Sequence, residues 1–148
     1  MPERALVIID IQNDYFPGGK MELEGADAAA KAARAIAKFR DQRLPPRQGE
    51  KVVEKNFPNS FRGTDLDQAL KESGTKELVV AGMMTHMCVD ASVRQAADLG
   101  YKVTLLGDAC ATRTQTYGGE SVPARQVHAA FLAALNGFYA KVITTDEL

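Results

Sequence analysis

The chain has 148 residues, of which 45% are hydrophobic and 25% are charged, which is the balance of an ordinary globular domain. The formal net charge is −1, and Lys and Arg do not run in blocks. Nothing in this charge pattern therefore indicates a nucleic-acid partner or an anionic membrane surface. No apolar stretch approaches roughly 18 residues, and the N-terminus is too polar for a signal peptide. We expect a cytoplasmic protein in which Cys88 and Cys110 are free thiols.

Short apolar runs alternate with helical stretches along the chain. Continuous apolar runs predict buried strands, and Ala-rich or capped stretches that end at Gly or Pro predict helices. The predicted strands are 5–9, 51–54, 78–81, 103–106 and 142–144, and the predicted helices are 27–43, 64–73, 88–99 and 123–135. This alternation predicts a single α/β domain over residues 1–148, a three-layer Rossmann-like parallel sheet with helices on both faces.

Three chemically useful side chains follow predicted strands. Asp10 ends the first strand, Lys55 follows the second, and Cys88 comes after the third. Ligands of open parallel sheets bind outside the carboxyl ends of the strands, so these side chains are expected at one edge. Cys88 lies three residues after Thr85, a candidate N-cap, so we expect a helix start that stabilises its thiolate. Taken singly, each residue also has a structural interpretation: Asp10 as a loop-capping carboxylate, Lys55 as a solvated cation and Cys88 as a small buried hydrophobe.

Several segments carry a family resemblance. DIQNDYF, KNFPNSF and AGMMTHMCV, together with GDACATR and VPARQVHAAFLAAL, resemble the isochorismatase-like cysteine hydrolase family, which includes nicotinamidases and N-carbamoyl amide hydrolases. The resemblance covers nearly the whole chain. It implies that Cys88 is the nucleophile, that Asp10 takes the thiol proton and later hands it to the leaving amine, and that Lys55 favours the thiolate and the ionised Asp10. It also implies a cis peptide bond between Met83 and Met84, which would aim the N–H groups of Met84 and Cys88 at one point as an oxyanion hole.

These implied roles predict a cysteine hydrolase that cleaves a small amide or carbamoyl-type C–N bond through a thioester on Cys88. Two alternatives remain open: a catalytically silent binding or scaffold protein of the same fold, and a redox-sensing thiol protein. No cofactor is expected, because the sequence shows no further residues that would complete a zinc site with His86 and Cys88. The expected partners are a small-molecule substrate and, from the resemblance, further copies of the chain in a dimer or tetramer.

Residues that flank the motifs are weaker candidates for contacts with a substrate. Gln12 either contacts substrate or positions Asp10. Aromatic residues at places such as these are more commonly part of a core. These candidates are Gln12, Phe16, Phe57, Phe61, Thr85 and His86. We interpret His128 as a packing or interface residue, and Asp108 and Cys110 as residues that shape the rim of the site.

The chain departs from the family between its first helix and the strand that carries Lys55. The family usually has a further buried strand and a long loop there, whereas only LPPRQGE, residues 44–50, joins the two elements here. Either residues of the complete protein are absent from this sequence, or the 51–54 strand has moved across to pair with the first strand; we favour the first. The same region holds the metal-binding His and Asp residues of nicotinamidases, so the resemblance does not extend to that activity and leaves the substrate unnamed.

Overall fold

The structure is a computed structural model, and it describes residues 3–25, 27–39 and 49–148. The helices are α1 (Asp27–Phe39), α2 (Leu66–Glu72), α3 (Asp90–Asp98) and α4 (Ala124–Leu135). The strands are β1 (Arg4–Ile9), β2 (Glu77–Met83), β3 (Lys102–Ala111), β4 (Gln115–Tyr117), β5 (Glu120–Val122) and β6 (Lys141–Ile143). A π-helical turn spans Thr85–Val89, and 3-10 turns span Asn13–Tyr15 and Thr145–Glu147. Within the described ranges, no helix has the length and apolar character needed to cross a bilayer.

The main sheet is parallel, with the strand order β1-β2-β3-β6. Successive side chains of a strand point to opposite faces, and β2 shows this clearly. Leu78 and Val80 join a core cluster formed with α2, α3 and α4, whereas Val79 and Ala81 join a cluster formed with α1. Helices therefore cover both faces of the sheet, and the predicted three-layer α/β architecture is confirmed.

The ladder between β2 and β3 is irregular near the carboxyl ends of the strands. Val80 pairs with Leu105, but Gly82 pairs with Cys110, so β3 holds extra residues between the two pairs. Bulges re-aim side chains and are common next to active sites. This one lies at the edge of the sheet where ligands are expected.

The segment at residues 51–55 differs from its prediction. It is not a strand, and in the part of the chain that the structure describes β1 pairs only with β2. The alternative in which this segment pairs with β1 is therefore wrong for the described residues. Val53 instead packs against the core cluster of α2, α3 and α4. Residues 40–48, which include the end of the predicted first helix and most of the short connection, lie outside the described residues, so the absence of residues from this sequence stays a prediction.

The other predicted elements are present with shifted ends. β3 continues beyond its predicted end at 106 to Ala111, and Cys88 lies in the π-helical turn rather than in the first turn of α3. The antiparallel hairpin of β4 and β5 was not predicted. Its two central residues, Gly118 and Gly119, were an available signal, because Gly-Gly between short β-prone runs favours a two-residue hairpin loop.

Candidate active site

Asp10 lies directly after β1 in an unusual backbone conformation. Its φ is +46°, in the left-handed region that Asp enters more readily than most non-glycine residues. Beside it, Gly82 has a φ of +142°, and a Cβ at this residue would lie 2.0 Å from the carbonyl oxygen of Ile9. Only glycine allows β2 to come this close to the end of β1. The close approach places the carboxyl-terminal end of β2 beside Asp10.

Lys55 forms an ion pair with Asp10 although no strand carries it. Its Nζ lies 2.5 Å from Asp10 Oδ2, and the exposed fractions of the two side chains are 14% and 13%. The contact is a close ion pair rather than an aligned hydrogen bond, and Oδ2 has no aligned donor among the described residues. The ammonium also donates hydrogen bonds to the carbonyl oxygens of Phe57 at 3.0 Å and Pro58 at 3.4 Å. Its own loop therefore holds the lysine against Asp10.

The loop that follows Lys55 is fastened to α3. The Ser60 N–H donates to Ser92 Oγ at 2.9 Å, and the Ser92 hydroxyl donates to Ser60 Oγ at 2.9 Å. Asn59 Nδ2 donates to Gln95 Oε1 at 3.1 Å. Because α3 continues directly from the π-helical turn, these bonds couple the position of Lys55 to the turn that carries the cysteine.

Cys88 lies in the π-helical turn, which follows a cis peptide bond between Met83 and Met84. The resemblance implied a cis bond at this place. The N–H groups of Met87 and Val89 donate to the Met84 carbonyl oxygen at 3.0 and 3.2 Å. These bonds do not use the N–H groups of Met84 and Cys88, the two groups to which the resemblance assigns the oxyanion hole.

The Cys88 thiol is nearly buried, with 7% of the residue exposed, and it interacts with both Asp10 and Lys55. Burial raises the pKa of the thiol above its usual 9.0, the hydrogen bond to Asp10 and the charge of Asp10 raise it further, and Lys55 opposes them more weakly. Lys55 favours the thiolate, as we expected, but burial and Asp10 outweigh it, so the net shift of the thiol pKa is upward. The protonated thiol is the resting form, since burial and a neighbouring anion both disfavour a negative charge.

Tyr15 is a neighbour of the site that the sequence did not single out. It is buried, and its pKa is raised by burial, then by the sulfur of Cys88 once that is ionised and by the charge of Asp10, while Arg113 lowers it. These influences place the phenol close to the nucleophile and the carboxylate. Tyr15 is part of the DIQNDYF motif, but an aromatic residue beside a strand is hard to tell from a core residue without the structure.

Thr85 and His86, predicted as substrate contacts, differ in their surroundings. Thr85 is fully buried, and its Oγ1 lies 2.9 Å from Nδ1 of His128. His86 Nδ1 lies 2.5 Å from Thr112 Oγ1, and burial followed by the charge of Arg113 lowers the pKa of His86. His86 therefore stays a candidate contact, whereas the Thr85 hydroxyl is turned inward to α4.

Gln12 and Phe16 lie beside the site. The Gln12 Nε2 group donates to Asp10 Oδ1 at 3.4 Å, which favours a role in positioning Asp10. Phe16 packs against the buried cluster that contains Met83 and Met84. Both residues thus contact elements on which the predicted chemistry depends.

Phe57 and Phe61 follow Lys55 but point to different surroundings. Phe57 is 40% exposed, and the guanidinium of Arg62 lies 3.8 Å from its ring centre. The Phe61 ring packs against the core and stacks on Tyr101, with ring centres 6.3 Å apart. Tyr101 precedes β3, at the amino ends of the strands. Phe61 is thus a core residue, and of these two side chains only that of Phe57 stays a candidate for a pocket wall.

The remaining titratable groups near the edge have structural surroundings. Burial raises the pKa of Cys110 to about 12, and Asp108 Oδ1 accepts hydrogen bonds from the N–H and hydroxyl of Thr145 at 2.8 and 2.9 Å. A cavity of about 300 Å³ is lined by Asp108, Cys110 and His128 and does not include Cys88. Within the described residues, no group of three or more His, Cys, Asp or Glu side chains is arranged to hold a metal ion. The chemistry around Cys88, not cavity size, marks the candidate active site.

Comparison with known proteins agrees with this geometry. Residues 41–147 match the model of the isochorismatase domain, and the chain is 44% identical to the uncharacterised isochorismatase family protein YddQ of Bacillus subtilis, over 96% of each protein. The chain belongs to the isochorismatase family. It is a hydrolase of that family, with an α/β fold shared by solved relatives.

Two crystal structures show the extent of the likeness. A proposed isochorismatase hydrolase from Oleispira antarctica is 42% identical, with a TM-score of 0.90 over 97% of this chain and 94% of that one. An isochorismatase from Pseudomonas putida is 34% identical, with a TM-score of 0.92 over 99% and 90%. The alignment with YddQ spans 173 positions, more than the 148 residues of this chain, so YddQ contains positions with no counterpart here.

Two more distant relatives have named activities. Nicotinamidase 3 of Arabidopsis thaliana is 31% identical over 67% of this chain and 45% of the relative. Ureidoacrylate amidohydrolase RutB of Variovorax paradoxus is 30% identical over 70% and 38%. The chain therefore aligns with less than half of each of these enzymes.

Proposed function

We propose that this family member hydrolyses a small amide or carbamoyl-type C–N bond through a thioester on Cys88. The observation that carries the proposal is the meeting of the Cys88 thiol with the Asp10 carboxylate and the Lys55 ammonium. These groups come from distant parts of the chain and are nearly buried together. The names of the nicotinamidase and the ureidoacrylate amidohydrolase support the C–N bond class.

In the first step, Asp10 takes the thiol proton while the sulfur attacks the carbonyl carbon of the substrate. A C–S bond forms, and the carbonyl π electrons move onto oxygen, to which the N–H groups of Met84 and Cys88 donate hydrogen bonds. When the tetrahedral intermediate collapses, the C–N bond breaks and protonated Asp10 gives its proton to the leaving nitrogen. Ammonia or an amine departs, and the acyl group stays on Cys88.

In the second step, water attacks the thioester carbon and Asp10 accepts a proton from that water. The C–S bond then breaks, and the proton passes to sulfur, which restores the neutral thiol. Lys55 stays against the carboxylate at 2.5 Å and balances its charge each time the proton returns to Cys88. The net reaction is acyl transfer to water.

Stabilisation of the oxyanion should contribute more to this reaction than acidity of the thiol. One oxyanion-hole donor is typically worth about 10²–10³ in kcat. A thiol pKa lowered by one unit gives about tenfold more thiolate but about threefold less reactivity, a net gain of about threefold. The raised pKa of Cys88 is thus compatible with efficient attack, provided that Asp10 removes the proton during the attack.

The test measures ammonia release from a panel of small amides and N-carbamoyl compounds, with intact-protein mass spectrometry to detect an acyl adduct. We expect turnover of at least one member and an adduct that maps to Cys88, with both lost in Cys88→Ala. Cys110→Ala is the matched control and should keep turnover, since Cys110 is buried with a pKa of about 12. No turnover by the wild type would favour a silent scaffold, and reversible oxidation at Cys88 without turnover would favour a redox sensor. The homo-oligomer and the cytoplasmic location stay predictions.

A further inference from the structure

His128 on α4 is joined to the turn that carries the nucleophile. Its Nδ1 lies 2.9 Å from Oγ1 of Thr85, and Thr85 has no exposed surface. Thr85 is the first residue of the π-helical turn and directly follows Met84. One partly buried contact therefore links α4 to the segment that holds Cys88 and both N–H groups assigned to the oxyanion hole.

The surroundings of His128 keep its ring neutral. The ring also bonds to the backbone of Gly107, which raises the pKa of His128, but burial lowers it more, and the net pKa lies below the usual 6.5. The imidazole is therefore neutral near pH 7, with one N–H donor and one acceptor nitrogen. Nδ1 of this neutral ring faces the Thr85 hydroxyl, which can donate or accept, so either ring tautomer forms the hydrogen bond.

Close packing of α4 on β3 brings the ring to this position. A Cβ at Gly107 would lie 3.0 Å from Leu132 Cδ1 and 3.1 Å from Val142 Cγ1, which is tighter than a side chain at residue 107 would normally allow. Leu132 is four residues after His128 on α4, so the two side chains share one face of the helix. Glycine at 107 thus lets this face approach β3 closely enough for His128 to reach both Gly107 and Thr85.

We propose that His128 is a positioning residue for the hydrolysis: through Thr85 it holds the nucleophile turn so that the N–H groups of Met84 and Cys88 converge on the oxyanion. The catalytic half of this inference rests on the proposed function, whereas the structural half, that the contact holds the turn, does not. Loss of the contact should weaken oxyanion stabilisation without removing either donor. We therefore expect a loss of about tenfold in kcat, below the 10²–10³ for deletion of a donor.

Two pairs of variants separate the contact from the side chains that make it. His128→Leu removes the hydrogen-bonding nitrogen, whereas His128→Asn keeps an amide group near the place of Nδ1. Thr85→Val removes the hydroxyl at nearly the same size, and Thr85→Ser keeps it. The readouts are kcat and KM on a panel substrate, the rate of Cys88 alkylation by iodoacetamide, and hydrogen exchange in residues 84–89 compared with residues 66–72 of α2.

His128→Leu and Thr85→Val should each lower kcat about tenfold and leave KM within about twofold of the wild-type value. Because both remove the same contact, kcat of the double variant should be no lower than that of the slower single variant. Alkylation should change less than about twofold, because displacement of iodide forms no oxyanion. Exchange should become faster in residues 84–89 and not in 66–72, and the Asn and Ser variants should behave like the wild type in every measurement.

Hydrogen exchange in residues 84–89 that is unchanged in the variants would overturn the inference. Exchange that becomes faster by the same factor in residues 66–72 would also overturn it, because it would show a general loss of stability. Faster local exchange with unchanged kcat would overturn the catalytic role. If the wild type hydrolyses no amide, the proposed function fails, and the exchange measurement still decides whether His128 holds the turn.

Discussion

Replacement of Asp10 by Asn should make Cys88 react faster with an alkylating agent while it stops amide hydrolysis. The hydrogen bond and the charge of Asp10 both raise the pKa of the Cys88 thiol, so removal of the charge lowers that pKa. Lys55→Met should do the reverse, because Lys55 lowers the same pKa. The two variants therefore move thiol reactivity in opposite directions, and both should reduce hydrolysis.

The sizes of the two effects differ enough to separate them. With a pKa above 9.0, less than about 1% of the Cys88 thiol is ionised at pH 7. Each unit by which the pKa falls gives about tenfold more thiolate and about threefold lower reactivity, so alkylation gains about threefold per unit. Hydrolysis by Asp10→Asn loses the group that moves the proton, a loss of about 10²–10⁴. Unfolding would also expose the buried Cys88 to alkylation and end hydrolysis, so the gain supports the reasoning only where Cys110, which is buried as well, stays unmodified.

The assay follows iodoacetamide adducts on Cys88 by intact mass between about pH 6 and pH 10, beside ammonia release on a panel substrate. The matched controls are Glu120→Gln and Lys141→Met, which remove one charge of each sign from exposed residues and should leave both rates unchanged. Alkylation that is slowed or unchanged in Asp10→Asn would show that the carboxylate does not act on the thiol, and would refute the reasoning.

Two further predictions concern stability. Gly82→Ala should lower the free energy of unfolding by about 2–6 kcal/mol, from overpacking against the Ile9 carbonyl oxygen at 2.0 Å and from the strained φ. Gly118→Ala, at a φ of +60° and with no atom within 4 Å of its Cβ, lacks both the clash and the more strained φ and should lose less stability in urea unfolding. Equal losses in the two variants would contradict the prediction. Burial in the folded state raises the pKa of Cys110 from its usual 9.0 to about 12. The protonated thiol therefore stabilises the fold below about pH 9, and this stability is lost between about pH 9 and 12, by about 1.4 kcal/mol per pH unit. Cys110→Ala should flatten that decline in urea titrations at high pH, and an unchanged slope would count against it.

The fold was predictable because its main signals are local. Continuous apolar runs and capped helical stretches alternate in the order of β1, α1, β2, α3 and β3, and alternation of this kind leaves few arrangements other than a parallel sheet between helices. The failure at residues 51–54 has a physical cause as well. A short run such as KVVE becomes a strand only when a neighbouring edge bonds to it, and no local pattern reports where that edge lies.

The site was predictable in part. The rule that ligands lie at the carboxyl ends of parallel strands, with the family resemblance, was enough to select Asp10, Lys55 and Cys88. The protonation state of Cys88 was not predictable from its place near a helix start, because burial and the approach of Asp10 dominate it. The places of Tyr15 and His128 beside the site were not predicted, for a similar reason. The contact between His128 and Thr85 joins residues 43 positions apart in the chain, and only tertiary packing brings them together.

The ion pair of Lys55 and Asp10 does not depend on the strand that the sequence predicted. Lys55 is held by the carbonyl oxygens of its own loop and by the ion pair itself, and that loop is fastened to α3 through Ser60 and Ser92. Since α3 continues from the turn that carries Cys88, the groups proposed for catalysis are positioned by one another and by α3. The described contacts that hold the reacting groups therefore include none from the connection between α1 and residue 49. The proposed thioester chemistry would then depend on contacts that do not involve this connection.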